Sequence, residues 1–135
     1  MSQIPQEQIA YVFTKHDGIH NLTQATVPVV APKRHQVLIK VHATSLNYRD
    51  LMVASAIYPG PFPPQLIPLS DGAGEVVQIG EDVTEFKVGD RVCGLFHQDW
   101  VDGEMRDECM STCLGASLHG VLTQYRTLDA KGVIQ

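Results

Sequence analysis

Ser70-Asp-Gly-Ala-Gly-Glu-Val-Val-Gln-Ile-Gly80, continuing through Val83 and Phe86 to Val88-Gly-Asp-Arg-Val92, is the stretch that decides the fold. Small residues, an apolar β-rich run and turn residues follow one another in the order that two strands folded around glycine corners require. Gly72 and Gly74 invite comparison with a dinucleotide-binding loop. That loop needs Gly-x-Gly-x-x-Gly between a strand and a helix, but Val77 stands at the third glycine position and Val76-Val77-Gln78-Ile79 continues as strand. These glycines therefore read as structural, marking a bend or a close backbone approach in a small barrel. Gly89, ahead of Asp90-Arg91-Val92, suits a turn into the next strand, with Val83 and Phe86 packed beneath the connection.

Working outward, residues 9–15 and 22–30 are β-rich and separated by His16-Asp17-Gly18, which predicts an opening hairpin. Over 36–44, Val37, Ile39, Val41 and Ala43 alternate with Lys40, His42 and Thr44, the pattern of a strand with one buried face. A further strand is expected over 120–128, with Val121 and Tyr125 on one face. Two segments read as helix. Tyr48, Leu51, Met52 and Ser55 form one stripe at helical spacing, with Asn47 as cap, Asp50 near the first-turn amides and Pro59-Gly60-Pro61 forbidding extension. The second is expected over 103–114, with Asp102 as cap, Met105, Cys109 and Cys113 sharing a face and Gly115 ending it.

With 135 residues, 44% hydrophobic and 19% charged, the chain has enough material for one globular domain and its core. A net charge of -5 with scattered Lys and Arg argues against nucleic acid or an anionic membrane surface as partner. The start lacks the order of a signal peptide and no apolar run reaches a membrane span, so a cytoplasmic location is the expectation. Three cysteines cannot all pair within the chain, and reduced thiols are expected. His16, His20, His35 and His42 read as surface residues. In Phe96-His-Gln-Asp-Trp100, Trp100 is expected to anchor the insert to the barrel while its polar neighbours face solvent.

The central run, with Asn47-Tyr-Arg-Asp50 and Leu69-Ser-Asp71, resembles the medium-chain dehydrogenase/reductases from about Val12 to Val133. The resemblance implies a mainly β, GroES-like β-barrel with one or two short helices. It also implies that 1–135 is the N-terminal catalytic domain of a two-domain enzyme, with the Rossmann nucleotide-binding domain beyond the last residue. Asn47-Tyr-Arg-Asp50 stands where zinc-dependent alcohol dehydrogenases carry Cys-His-x-Asp, and Leu69-Ser-Asp71 where they carry Gly-His-Glu. Asn47 and Ser70 thus occupy the metal-ligand positions, and neither is an ordinary zinc ligand. The four lobe cysteines of the metal-dependent relatives are reduced to Cys109 and Cys113, with Cys93 upstream. The chain is therefore similar to the zinc-independent, quinone oxidoreductase-like branch, and no metal is expected.

That branch implies NAD(P) in the full-length enzyme, none held by this segment alone, and a small-molecule carbonyl, quinone or conjugated alkene as substrate. Asn47 and Tyr48 are the candidate catalytic residues, since an amide or a phenol can donate to a developing oxyanion. Asp50, Ser70 and Asp71 are candidates for the substrate side. The structural alternatives are that Asn47 is only a cap, Tyr48 a core aromatic and Asp50 a first-turn carboxylate, while Arg49 reads as a surface or ion-pair residue. A stand-alone binding or scaffold protein retaining the barrel is the rival function. Without its second domain the chain is expected to expose an apolar patch and to self-associate.

Overall fold

The computed structural model describes residues 3–135. Strands β1 (Glu7–Phe13) and β2 (Leu22–Pro28) form the opening hairpin, with Glu7 opposite Pro28 and Phe13 opposite Leu22. Strands β3 (Gln36–Ser45), β4 (Asp71–Ile79), β5 (Arg91–Gly94), β6 (Tyr125–Asp129) and β7 (Val133–Ile134) make a second, antiparallel sheet in the order β6-β3-β4-β5-β7. Register shifts between Leu38 and Ile39 and between Val41 and Ala43 act as bulges that curl this sheet. The result is the mainly β, barrel-like fold expected from the central run.

Both readings of the central run hold. Gly74 lies so close to β3 that an added Cβ would overlap the Lys40 carbonyl oxygen, so this glycine is a close-approach position within a strand. Gly89 takes φ +98° in the turn from Lys87 to Asp90, closed by the Asp90 N–H on the Lys87 carbonyl at 3.2 Å and by the Lys87 N–H on Asp90 Oδ2 at 3.0 Å. The latter bond holds the Asp90 carboxyl below its ordinary range. Val83 joins the core of Val37, Val76, Leu114 and Leu128, and Phe86 packs against it.

Four expectations need correction. The strand expected over 120–128 begins only at Tyr125, because the N–H groups of Gly120, Val121 and Leu122 turn to the carbonyls of Ile67, Pro68 and Leu69. The helix expected over 103–114 is a 3₁₀ turn at Asp107–Thr112, with Gly103 at φ +69° and Cys113 drawn into an extended bridge with His97. Helix α1 (Tyr48–Ala54) does form, but it buries Asp50, Val53 and Ala54 and turns Tyr48 and Leu51 outward, the reverse of the face the apolar stripe predicts. His16 is half-buried rather than on the surface: it stacks on Phe62 at 4.4 Å and bonds the Val53 carbonyl at 2.8 Å.

Candidate functional site

Asn47 has extended backbone (φ -127°, ψ 153°) at the head of α1, so its N–H precedes the helix and needs an acceptor. Asp50, one turn on, supplies it through Oδ2 at 2.8 Å. Asn47 and Asp50 thus form a capping box, and Asn47 Nδ2 also reaches out of the helix to donate to Asp71 Oδ2 at 2.8 Å, at the first residue of β4. The cap position is thus real, while the Asn47 amide is spent across the helix–sheet junction. Its second N–H has no protein acceptor among the described residues.

Asp50 is buried and its Oδ1 has no hydrogen-bond partner. Burial raises its pKa above the ordinary carboxylate value, against the lowering effect of the Asn47 N–H and the Arg49 charge, with Asp71 adding to the rise. Tyr48 is 77% exposed, so it is no core aromatic and its phenol is free to meet another surface. Ser70 is buried and its hydroxyl stands outside this network. The approach to Ser70 is fixed by its neighbours. Leu69 holds φ +72° while buried, a conformation that costs a branched residue on the order of 1–2 kcal/mol, and Gly120 lies so close that a Cβ there would overlap the Leu69 carbonyl oxygen. Asn47, Asp50 and Asp71 are therefore brought together, with Tyr48 beside them and Ser70 beneath.

Arg49 is the residue that sequence reasoning missed. Its guanidinium lies 4.3 Å from the Tyr58 ring centroid and 4.5 Å from that of Phe96, and donates to the Leu114 carbonyl at 3.1 Å and Cys113 Sγ at 3.2 Å. It clamps α1 to the 96–117 segment instead of facing solvent. Its partners lie up to 65 positions away, so no local spacing announces them. For Cys113, burial raises the pKa, but the Ser117 hydrogen bonds and the Arg49 charge outweigh it and hold the thiol below its ordinary value. Gln98, expected in solvent, is buried and ties the Leu95 and Gly132 carbonyls at 2.8 and 3.0 Å. Trp100, expected to tie this segment to the barrel, is instead 42% exposed and donates through Nε1 within its own loop, to the Gly103 carbonyl at 3.0 Å.

Among the described residues, no three His, Cys, Asp or Glu side chains converge as a metal ion requires. Gly72 and Gly74 lie inside β4, and Gly74 has its backbone pressed against β3, which leaves no cradle there for a pyrophosphate. Gly72 and Gly74 thus do not fit the phosphate end of a dinucleotide. No helix among the described residues is long and apolar enough to cross a membrane.

Comparison with known proteins places this geometry. The model of the alcohol dehydrogenase GroES-like domain matches residues 33–135. A zinc-type alcohol dehydrogenase-like protein of Schizosaccharomyces pombe is 38% identical over 99 residues, covering 73% of this chain and 29% of the relative. A chloroplast envelope quinone oxidoreductase homolog of Arabidopsis thaliana is 42% identical over 81 residues, 58% of this chain and 24% of the relative. The crystal structure of a putative alcohol dehydrogenase from Sinorhizobium meliloti superposes with a TM-score of 0.87 at 28% identity, covering 98% of this chain and 39% of that one. The chain spans less than a third of the length of these two sequence relatives.

Proposed function

The chain belongs to the alcohol dehydrogenase GroES-like domain family of the medium-chain dehydrogenase/reductases, and from that premise we propose that it is the catalytic-domain segment of a zinc-independent, NAD(P)-dependent oxidoreductase. Its substrate would be a small carbonyl compound, quinone or conjugated alkene. The observation that carries this reading is the Asn47–Asp71 bond of 2.8 Å at the head of α1, beside an outward-facing Tyr48. An amide stands where a metal-dependent relative needs a thiolate. Asp71 orients that amide and leaves its second N–H to donate to a reacting oxygen, as oxyanion-stabilising donors do.

In that enzyme a nucleotide-binding domain would hold the nicotinamide, whose chemistry would be hydride supply to the substrate carbon. Asn47 and Tyr48 then serve the other end of the bond, donating hydrogen bonds to the oxygen on which charge develops, with the Tyr48 phenol as the proton source. Asp50 and Ser70 support the wall from beneath. Leu46 and Tyr48, 81% and 77% exposed, with Leu51 and Ile57, present an apolar face that the nucleotide-binding domain would cover. Alone, the chain would bind neither NAD(H) nor NADP(H) and would self-associate through this face. A non-catalytic scaffold would need none of this constellation.

The test is reduction of quinones and enals by NAD(P)H in the chain joined to its nucleotide-binding domain. The reading expects turnover that survives chelator and a purified protein without stoichiometric zinc. One zinc per chain, lost when Cys109 and Cys113 are changed to Ser, would overturn the zinc-independent assignment.

A further inference from the structure

Away from the Asn47–Asp71 junction, the two sheets meet over a cavity of about 470 Å³, a volume within the range of small-molecule sites. Strands β1 and β2 contribute Gln8 and Val27, β6 contributes Tyr125 to Thr127, and the loop before β4 contributes Pro64 and Ile67. None of Asn47, Tyr48, Asp50, Ser70 or Asp71 lines it. The walls are apolar at Val27, Val30, Pro64 and Ile67, and the basic side chains at its edge are Arg126, Lys33 and His119. Among the described residues, no aspartate or glutamate lines it.

Arg126 is the unusual member. Its Nη1 donates to the Thr127 carbonyl and its Nη2 to the His119 carbonyl, both at 2.8 Å, while its buried Nε has no acceptor. A guanidinium carries five N–H bonds, so more than half of its donor capacity is unmatched by protein acceptors. Burial pushes its pKa down to about 10, and no carboxylate offsets that cost. His119 does not substitute for an anion. Its Nδ1 accepts the Ile67 N–H at 3.1 Å, which leaves the proton on Nε2, and burial together with the Arg126 charge holds it neutral. Gln8 is committed too, with Oε1 accepting from the Thr123 hydroxyl at 2.7 Å and the Tyr125 N–H at 2.6 Å. The cavity thus combines apolar walls with one half-buried, uncompensated cation whose Nε is buried.

We propose that this cavity is a second ligand site, which takes a small amphipathic carboxylate with its head on Arg126 and its apolar tail along Val27, Pro64 and Ile67. A planar guanidinium matches a carboxylate through paired hydrogen bonds. A phosphate dianion would gain the same cation but set its remaining oxygens against apolar walls, which favours the carboxylate.

The experiment is an NMR titration of the chain with octanoate, following the Arg126 Nε–H and the amides of Ile67 and Thr127. Octanol carries the tail without the charge, and inorganic phosphate the charge without the tail. Saturable shifts with octanoate, at least ten-fold weaker with octanol and with phosphate, are expected. Arg126→Gln should abolish the binding. Because that change can also unfold the chain, Val30→Glu at the exposed rim provides a second variant, whose carboxylate should compete for Arg126 and Lys33 and weaken octanoate at least ten-fold at unchanged melting temperature. No saturable shift with octanoate, equal binding of octanol or of phosphate, or undiminished binding by the folded Val30→Glu protein would each overturn the site.

Discussion

The sheet formed by β3, β4 and β5 and the lobe formed by α1 with residues 96–120 are held together by different physics. In the sheet, backbone ladders bring Val37, Val76 and Val92 onto one buried face, and nearly every contact repeats with the strand period. In the lobe, single polar side chains reach across long stretches of chain to backbone carbonyls: Arg49 to Leu114 and Gln98 to Gly132. The sheet tolerates the loss of any one side chain better than the loss of its close approach, whereas the lobe depends on a few residues that nothing repeats.

The sharpest break of this comparison on the sheet side is Gly74→Val. Any side chain there collides with the Lys40 backbone, which cannot step aside without breaking the ladder, so a loss of about 3 kcal/mol or more is expected. Denaturant unfolding reads it. If Gly74→Val folds with an unchanged midpoint, the close approach is not what shapes the barrel.

On the lobe side, Arg49→Ala removes two aromatic contacts and strips the Leu114 carbonyl of its donor, at an expected cost of about 2–4 kcal/mol. Arg49→Lys keeps the charge but not the planar fork, so it should recover less than half of that loss. Full recovery by lysine would make Arg49 a mere surface charge, as the sequence alone suggests.

Asp50 offers a smaller, pH-dependent probe. Its folded pKa is raised above the unfolded value, so its protonated form is favoured in the fold; the stability it lends is fully present below about pH 4 and is lost as pH rises through the folded pKa. Asp50→Asn keeps an oxygen for the Asn47 N–H and removes the buried charge. Its melting temperature should therefore match the parent in acid and equal or exceed it at neutral pH. A variant that melts lower at neutral pH than in acid, relative to the parent, would mean that the ionised carboxylate stabilises the helix.

This contrast also explains what the sequence could reveal. The strand over 36–44, the glycine-punctuated central run and the cap at Asn47 are local signals and reappear in the structure, although the expected alternation does not run the length of the strand: Leu38 is buried beside Val37 and Ile39, and Ala43, past the bulge after Val41, is exposed. The outward turn of Tyr48 and Leu51 was not legible, because an apolar stripe reports amphipathicity without saying which neighbour covers it. Nor were the 3₁₀ turn at Asp107–Thr112, whose Cys109 and Thr112 bond back to 97–99, or the Arg49 clamp, whose partners lie 64 and 65 positions away. Of the candidate site, the positions of Asn47, Asp50 and Asp71 were readable, and the bond that joins Asn47 to Asp71 was not.

Asn47→Ala, in the chain joined to its nucleotide-binding domain, tests the account most directly. The bond from the Asn47 N–H to Asp50 survives the change, while the side-chain half of the capping box and the bond to Asp71 are lost, so stability should fall by only about 1 kcal/mol. Turnover should fall by about 10²–10³, the usual effect of deleting one donor to a developing oxyanion. Turnover that stays normal while the protein melts markedly earlier would make Asn47 a structural residue and place the catalytic donors elsewhere.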